Sequence, residues 1–87
     1  MSFFTYILQS KKTGHYYIGS TENLSDRLRA HNAGKVRSTR NRGPFSIVYT
    51  EEFSTRQDAY RREQEIKRYK TGKAFYKLLT NNYSGVV

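Results

Sequence analysis

The sequence contains no cysteine, no tryptophan, one proline and only two histidines in 87 residues. The absence of cysteine excludes disulfide frameworks, thiolate zinc sites, iron–sulfur clusters and cysteine nucleophiles. His15 and His31 are too few for a multi-histidine metal site. No apolar run approaches the roughly 20 residues that a membrane span needs, and the first residues lack the basic region of a signal peptide. We therefore expect a soluble, cytoplasmic protein.

Acidic residues are also scarce, with 7 Asp and Glu against 16 Lys and Arg, which gives a formal net charge of +9. Such an excess predicts a polyanionic partner, either nucleic acid or an anionic membrane surface. The chain is 36% hydrophobic and 15% aromatic, with eight tyrosines, which is too apolar for a disordered basic tail. Its length leaves room for a single domain over residues 1–87 with a thin core.

The hydropathy pattern predicts two strands, a helix, a third strand and two further helices. The strands are expected at 3–9, 15–19 and 45–50, and the helices at 23–34, from about 55 to 70 and, as a short last helix, at 73–80. Asn23 or Ser20 can cap the first helix, and Ser54 or Thr55 the second. The sequence therefore predicts an α+β fold: a three-stranded antiparallel sheet flanked by helices, in the order ββαβα with a short C-terminal helix.

Two elements place side chains where chemistry is possible. If the loop between the first two strands has two or four residues, Tyr6 and Tyr17 lie on the same face of the hairpin; a three-residue loop places them on opposite faces. On the first helix, Arg27 and His31 are four residues apart and therefore adjacent. A neutral His31 is the easier state beside the positive charge of Arg27.

Glu63 departs from the pattern of the second helix. It shares a stripe with Ala59 and Ile66 that should face the sheet, and a buried carboxylate is costly unless it is paired, hydrogen-bonded or bound to a metal. Arg62 and Lys67 are possible ion-pair partners. In a chain so poor in acids, an inward carboxylate favours a role as a ligand or a base.

Five segments together carry a resemblance to a known family. They are residues 4–6, Tyr17-Ile18-Gly19 with the following Ser20-Thr21, residues 26–35, Arg42-Gly43-Pro44 leading into residues 47–49, and residues 59–67. In this order they resemble the GIY-YIG nuclease superfamily, which includes the N-terminal catalytic domain of the excinuclease C subunit and the catalytic domains of homing endonucleases. The resemblance is closest to stand-alone, single-domain bacterial members. In the first motif, Phe4-Thr5-Tyr6, only the tyrosine matches.

The resemblance implies a metal-dependent endonuclease that hydrolyses phosphodiester bonds in DNA during repair, recombination or processing. It implies that Glu63 is the sole protein ligand of one divalent ion, Mg²⁺ or Mn²⁺, and that Tyr17 is the general base for the attacking water. Arg27 would hold the phosphate and stabilise its transition-state charge. Tyr6 would position the water or Tyr17, and His31 would orient the site or relay a proton.

The remaining positive charge is expected to guide a nucleic-acid backbone, DNA rather than RNA, with little base specificity. The predicted phosphate-binding residues are Lys35, Arg37, Arg40, Arg42, Lys67, Arg68, Lys70 and Lys73. Target choice would then come from substrate structure or from a partner protein. Two alternatives remain: a catalytically silent nucleic-acid-binding module, and a basic ribosome-associated or protein-interaction domain.

Overall fold

The computed structural model describes residues 2–69 and 72–86, with side chains as far as residue 80, and within them the chain forms three strands and three helices. The strands are β1 (Phe3–Ser10), β2 (Tyr16–Thr21) and β3 (Phe45–Phe53), and the helices are α1 (Leu24–Asn32), α2 (Arg56–Tyr69) and α3 (Lys73–Val86). The strands pair antiparallel in the order β2-β1-β3. The predicted α+β fold is therefore confirmed.

The main differences from the predicted elements lie in β3, in α3 and in the loop before β3. β3 continues to Phe53 because it pairs with β1 along the whole length of that strand, as far as Phe3. α3 continues to Val86 rather than ending at residue 80, and no proline follows Thr80 to stop it. The basic loop between α1 and β3 contains a 3-10 turn at Arg37–Thr39.

The turn between β1 and β2 fixes the faces of the two tyrosines. Ser10 N donates to His15 O at 2.9 Å, so the loop has four residues, 11–14. In this register Tyr6 lies opposite Gly19, and Leu8 lies opposite Tyr17. Because opposite residues share a face and side chains alternate along a strand, Tyr6 and Tyr17 project on the same face. Of the predicted alternatives, the structure therefore has the four-residue loop, which places both tyrosines on one face.

The sheet buries a different cluster on each face. On one face Tyr6, Leu8 and Phe45 pack against α1 through Leu24 and Leu28. On the other face a second cluster packs against α2 and α3, and its buried members are Ile7, Tyr49, Ile66 and Phe75. The central strand therefore separates α1 from the other two helices.

A register shift in β3 assigns its side chains to these two faces. Ile7 pairs with Tyr49, whereas the next residue, Leu8, pairs with Ile47. The extra residue, Val48, forms an irregularity that reverses the alternation of side chains. Ile47 and Tyr49 are two residues apart and nevertheless contribute to opposite faces.

Side-chain caps set the starts of α1 and α2. Asn23 Oδ1 accepts the backbone N–H of Asp26 at 3.0 Å, and Thr55 Oγ1 accepts that of Asp58 at 3.1 Å. Both are among the predicted capping residues. Since each cap satisfies an otherwise unpaired N–H group in the first turn, the caps define the positions of the side chains that follow along each helix.

Candidate active site

A close approach between β1 and β2 brings Tyr6 to the edge of the sheet. β2 is an edge strand, and the Tyr6 ring lies over Gly19 within it. A Cβ atom at position 19 would be 2.5 Å from the Tyr6 hydroxyl and 2.7 Å from Cζ. Only glycine therefore allows the phenol of the central strand to reach across β2.

The Tyr6 hydroxyl joins the two functional candidates of α1. Arg27 Nε donates to the Tyr6 hydroxyl oxygen at 3.2 Å, and the same oxygen is 3.2 Å from His31 Nε2. Arg27 is exposed and His31 is 5% exposed. One turn of α1 thus supplies a buried imidazole and an exposed guanidinium to the same phenol.

The protonation state of His31 determines which groups donate and which accept in this hydrogen-bond network. Burial of the ring and the positive charge of Arg27 lower the pKa of His31 below its usual value, so the imidazole is neutral at pH 7. Tyr6, which accepts from Arg27, donates its own hydrogen to His31 Nε2, and His31 Nδ1–H then donates to Thr39 Oγ1 at 2.7 Å. Thr39 in turn donates to the carbonyl of Val36 at 3.5 Å. This tautomer is assigned from the network because it leaves every member with a partner.

Tyr17 differs from Tyr6 because its hydroxyl is free. Its ring packs edge-to-face on Phe45 with the centroids 5.4 Å apart, and the side chain is half-buried. Within the described part of the chain, the hydroxyl makes no hydrogen bond. The packing therefore fixes the ring and leaves the oxygen available to a ligand.

Glu63 reaches the same edge of the sheet from the other face. It is 9% exposed and lies between Ala59 and Ile66 on the buried stripe of α2, as predicted. Its Oε1 accepts from Ser20 Oγ of β2 at 2.8 Å. Thr5 of β1 fixes the helix at this level, because its hydroxyl donates to the carbonyl of Ala59 at 2.7 Å.

Of the two predicted ion-pair partners, Lys67 pairs with Glu63. Lys67 Nζ lies 2.8 Å from Glu63 Oε2. Arg62 instead pairs with Glu51 at 3.2 Å and with Glu65 at 2.6 Å. The inward carboxylate is thus both hydrogen-bonded and neutralised.

The predicted site residues converge on one cavity of about 460 Å³, which we call the edge cavity. It is lined by Tyr6, Tyr16, Tyr17, Ile18, Gly19, Ser20, Arg27, His31, Val36, Ser38, Thr39, Glu63 and Lys67. All five residues that the sequence predicts as catalytic belong to it. Side chains from both faces of the sheet meet here because β2 is the edge strand of the sheet that the described residues form.

The predicted phosphate-binding residues have different locations. Lys67 lines the edge cavity. The four basic residues of the loop are exposed beside it, since the loop supplies Val36, Ser38 and Thr39 to the cavity wall. Those four are Lys35, Arg37, Arg40 and Arg42, and Arg68 and Lys73 are exposed on α2 and α3. The prediction for Lys70 lies outside the described residues.

Sequence reasoning missed Thr39 and Ser20 as members of the site. Thr39 is 1% exposed and bonds His31, and Ser20 bonds Glu63. Thr39 has no signal in the sequence, because it lies in a polar loop. Ser20 belongs to a segment that carries the family resemblance, but its side chain was interpreted only as a possible helix cap. Only the packing of the loop and of α2 against β2 brings them to their partners.

The donor set fits a hard divalent cation with few protein ligands. Among the described residues no group of three or more His, Asp or Glu could surround a metal ion. Glu63 alone offers carboxylate oxygens to the edge cavity. Mg²⁺ and ions like it keep several waters and use one or two carboxylates together with substrate phosphate oxygens, so a single carboxylate in an open cavity suits them.

The sequence is similar to a family model and to known proteins. The sequence model of the GIY-YIG catalytic domain matches residues 2–75. The chain is similar to UPF0213 protein SH2523 of Staphylococcus haemolyticus, 42% identical over 67 residues that cover 76% of this chain and 80% of that protein. It is also similar to UPF0213 protein BH0048 of Halalkalibacterium halodurans, 40% identical over 68 residues that cover 77% and 71%.

A solved structure resembles the fold over most of its length. The solution NMR structure of UPF0213 protein BH0048 from Bacillus halodurans superposes with a TM-score of 0.53 at 34% sequence identity, covering 93% of this chain and 84% of that one. In the described part of the present chain, no helix has the length and apolar character needed to cross a membrane. On the match to the family model and to these relatives, the chain belongs to the GIY-YIG family.

Proposed function

We propose that this protein is a metal-dependent endonuclease that hydrolyses phosphodiester bonds in DNA, with a role in repair, recombination or processing. The observation that carries the proposal is the convergence of Tyr6, Tyr17, Arg27, His31 and Glu63 on the edge cavity. Family membership supports an endonuclease-like function, and nucleases of this family generally depend on a metal ion.

Glu63 is the group that would hold the metal. Bound there, Mg²⁺ or Mn²⁺ would supply charge stabilisation to the phosphate and favour a nucleophilic water. The ion pair with Lys67 neutralises the carboxylate in the structure described. A cation on the same carboxylate would weaken that pair and release the Lys67 ammonium for a phosphate.

Arg27 and Tyr17 would have different roles at the phosphate: Arg27 would bind it, and Tyr17 would be the general base. Only Nε of Arg27 is used by Tyr6, so the two terminal nitrogens of the planar fork remain for phosphate oxygens, whose charge grows in the transition state. Tyr17 in its phenolate form would take the proton of the attacking water and become the hydroxyl, as the water oxygen bonds to phosphorus and the bond to the leaving oxygen breaks, with its electron pair going to that oxygen.

Tyr6, His31 and Thr39 are positioning residues in this mechanism. The chain of hydrogen bonds from Arg27 to Val36 fixes the side chain of Arg27 through Tyr6. Because each member is held by the next, the guanidinium is ordered before a phosphate arrives. Preorganised charge of this kind costs no rearrangement at the moment of reaction.

A second candidate function is nucleic-acid binding without turnover. The observation that favours it is the Lys67–Glu63 ion pair, which satisfies the carboxylate with no metal. The two functions differ in what the loss of Glu63 would do. A nuclease would lose cleavage and keep binding, whereas a binding module would show no metal-dependent cleavage in the first place.

The test is cleavage of labelled branched, flapped and single-stranded DNA by the purified protein with Mg²⁺ or Mn²⁺. We expect Glu63→Gln to abolish cleavage and Tyr17→Phe to slow it by about 10²–10⁴-fold, while DNA binding changes little. The matched controls Asp58→Asn and Tyr60→Phe replace exposed residues of α2 and should cleave like the wild type. Cleavage that survives Glu63→Gln would contradict the proposed site, and failure to bind DNA or RNA at low salt would contradict both functions.

A further inference from the structure

A second cavity of about 420 Å³ adjoins the edge cavity and has a different chemical character. We call it the aromatic groove, and it is lined by Gly14, His15, Tyr16, Tyr17, Ile18, Phe75 and Tyr76. Three of these residues, Tyr16, Tyr17 and Ile18, also line the edge cavity. The two cavities are therefore continuous along β2, one polar and one largely aromatic.

The rings of the groove form a supported platform. Phe75 is 1% exposed and forms its base, with the ring of Tyr16 packed edge-on 5.0 Å away. Tyr76 is 5.7 Å from Phe75 and 6.4 Å from Tyr16, yet it remains 49% exposed. Tyr76 therefore presents to solvent a ring whose position is fixed by its neighbours.

The backbone of β2 adds unpaired polar groups beside these rings. Ser10 and His15 form a hydrogen-bonded pair across the hairpin. Because hydrogen-bonded and non-hydrogen-bonded pairs alternate in antiparallel strands, Tyr16 and Ile18 direct their N–H and C=O groups away from β1. Within residues 2–69 and 72–86 no strand pairs with β2 on that side, so these groups are available to the polar edge of a planar ligand.

The charge around Tyr76 favours an anionic ligand. Lys73, Tyr76 and Lys77 share one face of α3, at spacings of three and four residues, and all three are exposed. No acidic residue follows Glu65 in the sequence. A ring flanked by two ammonium groups, with polar backbone at its edge, suits a base attached to a phosphate backbone.

We propose that the aromatic groove binds an unpaired nucleobase of the DNA strand whose phosphate occupies the edge cavity. The inference rests on the proposed function and narrows its substrate to DNA with an unpaired nucleotide beside the cleaved bond. A base inside a duplex has both faces covered by its neighbours, so a flap, a gap or a single strand can place one on Tyr76 without the cost of unstacking and unpairing it first. Stacking accepts every base, so the groove selects strand structure rather than sequence.

The test measures binding rather than cleavage, with no metal present. A fluorescein-labelled oligothymidylate is titrated against the wild type and against Tyr76→Ala, for which we expect about tenfold weaker binding, the loss of one base stack. Tyr76→Phe keeps the ring and should bind like the wild type. Tyr60→Ala is the matched control, because Tyr60 is the other strongly exposed tyrosine of the described chain, at 56%, and it does not line the groove.

An abasic strand of the same length separates stacking from charge. It keeps every phosphate, so we expect weaker binding to the wild type and no further effect of Tyr76→Ala. The groove assignment is overturned if the abasic strand binds as tightly as oligothymidylate, or if Tyr76→Ala and Tyr60→Ala have equal effects. It is also overturned if Tyr76→Ala halves the mass measured by sedimentation and leaves DNA binding unchanged, since the groove would then be a contact between copies of the chain.

The Glu63→Gln variant keeps the two proposals apart. If binding depends on Tyr76 in this variant and in the wild type, but the wild type does not cleave, only the proposed function fails. If the wild type cleaves with metal and Glu63→Gln does not, but binding is independent of Tyr76, only the groove assignment fails.

Discussion

At the scale of single residues, the site depends on groups whose environment changes their ordinary chemistry. His31 is a neutral, buried imidazole held at both nitrogens. Tyr6 and Tyr17 are chemically identical, yet the first is committed to two hydrogen bonds and the second to none within the described chain. This difference is the reason for proposing that Tyr6 positions the site and that Tyr17 is the base.

The lowered pKa of His31 predicts how stability changes with pH. Above about pH 6.5 the imidazole is neutral in both the folded and the unfolded chain. Below that pH the unfolded chain binds a proton first, so the free energy of unfolding falls as the solution becomes more acidic. We expect this fall to begin below about pH 6.5, the ordinary pKa of an unfolded histidine, in chemical denaturation of the wild type, and a shallower fall in His31→Asn.

His15 provides the control for this measurement, because it is exposed on the turn of the hairpin. His15→Asn should keep the pH dependence of the wild type. A fall of equal size in His31→Asn would show that another group is responsible.

At the scale of elements, β2 and α2 place the two halves of the site. Gly19 allows Tyr6 to cross the edge strand, and Thr5, the residue before Tyr6, anchors α2 through the carbonyl of Ala59. In an α-helix the carbonyl of residue 59 accepts the backbone N–H of residue 63. The contact with Thr5 therefore also sets the position of Glu63. The first motif segment therefore acts on both faces of the sheet, through Tyr6 on one and Thr5 on the other.

The close contact at Gly19 predicts a local effect of a small substitution. In Gly19→Ala the added Cβ would meet the Tyr6 phenol at 2.5 Å, so the ring must move away from Arg27 and His31. We expect a loss of about 1–3 kcal/mol in the free energy of unfolding, together with a loss of cleavage larger than the unfolded fraction explains.

Gly43→Ala is the matched control for this change, because the nearest atom to its added Cβ is 3.5 Å away. It should retain both stability and cleavage. If Gly19→Ala were as active as Gly43→Ala, the position of Tyr6 would not matter to the reaction.

At the scale of the whole molecule, the net charge of +9 is unevenly placed. The loop of residues 33–44 and the chain after Glu65 contain no acidic residue. Of the seven acidic residues, Glu63 lines the edge cavity and the other six do not. Basic surface thus flanks the cavity on the loop side and extends from it onto α3. Such a distribution attracts a phosphate backbone without reading its bases.

This distribution predicts a salt-dependent affinity that the loop controls. For single-stranded DNA, each phosphate contact contributes about −0.7 to the slope of log K against log salt concentration. Replacing Arg37 and Arg42 together by glutamine should therefore make the slope less steep by about 1.4, measured by titration at several salt concentrations. Arg61→Gln, which removes an exposed cation paired with Asp58 on α2, should leave the slope unchanged. An unaltered slope in the double variant would exclude the loop from the binding surface.

The sequence predicted most of the fold because its signals are local. Asn23 and Thr55 start their helices as capping residues, and runs of β-branched and aromatic residues mark the strands. The ends of β3 and α3 were not predictable in this way. The extension of β3 depends on its pairing with β1, which is a contact between residues about fifty positions apart.

The order of residue types by itself determined the fold class, the five candidate residues and the sign of the charge. The tertiary structure decided which of them meet: the register places Tyr6 over Gly19, and the edge position of β2 brings α1 and α2 to one cavity. It also added Thr39 and Ser20, and it chose Lys67 over Arg62 as the partner of Glu63. The reason is physical, because a hydrogen bond or ion pair depends on distances of about 3 Å that only the packed chain defines.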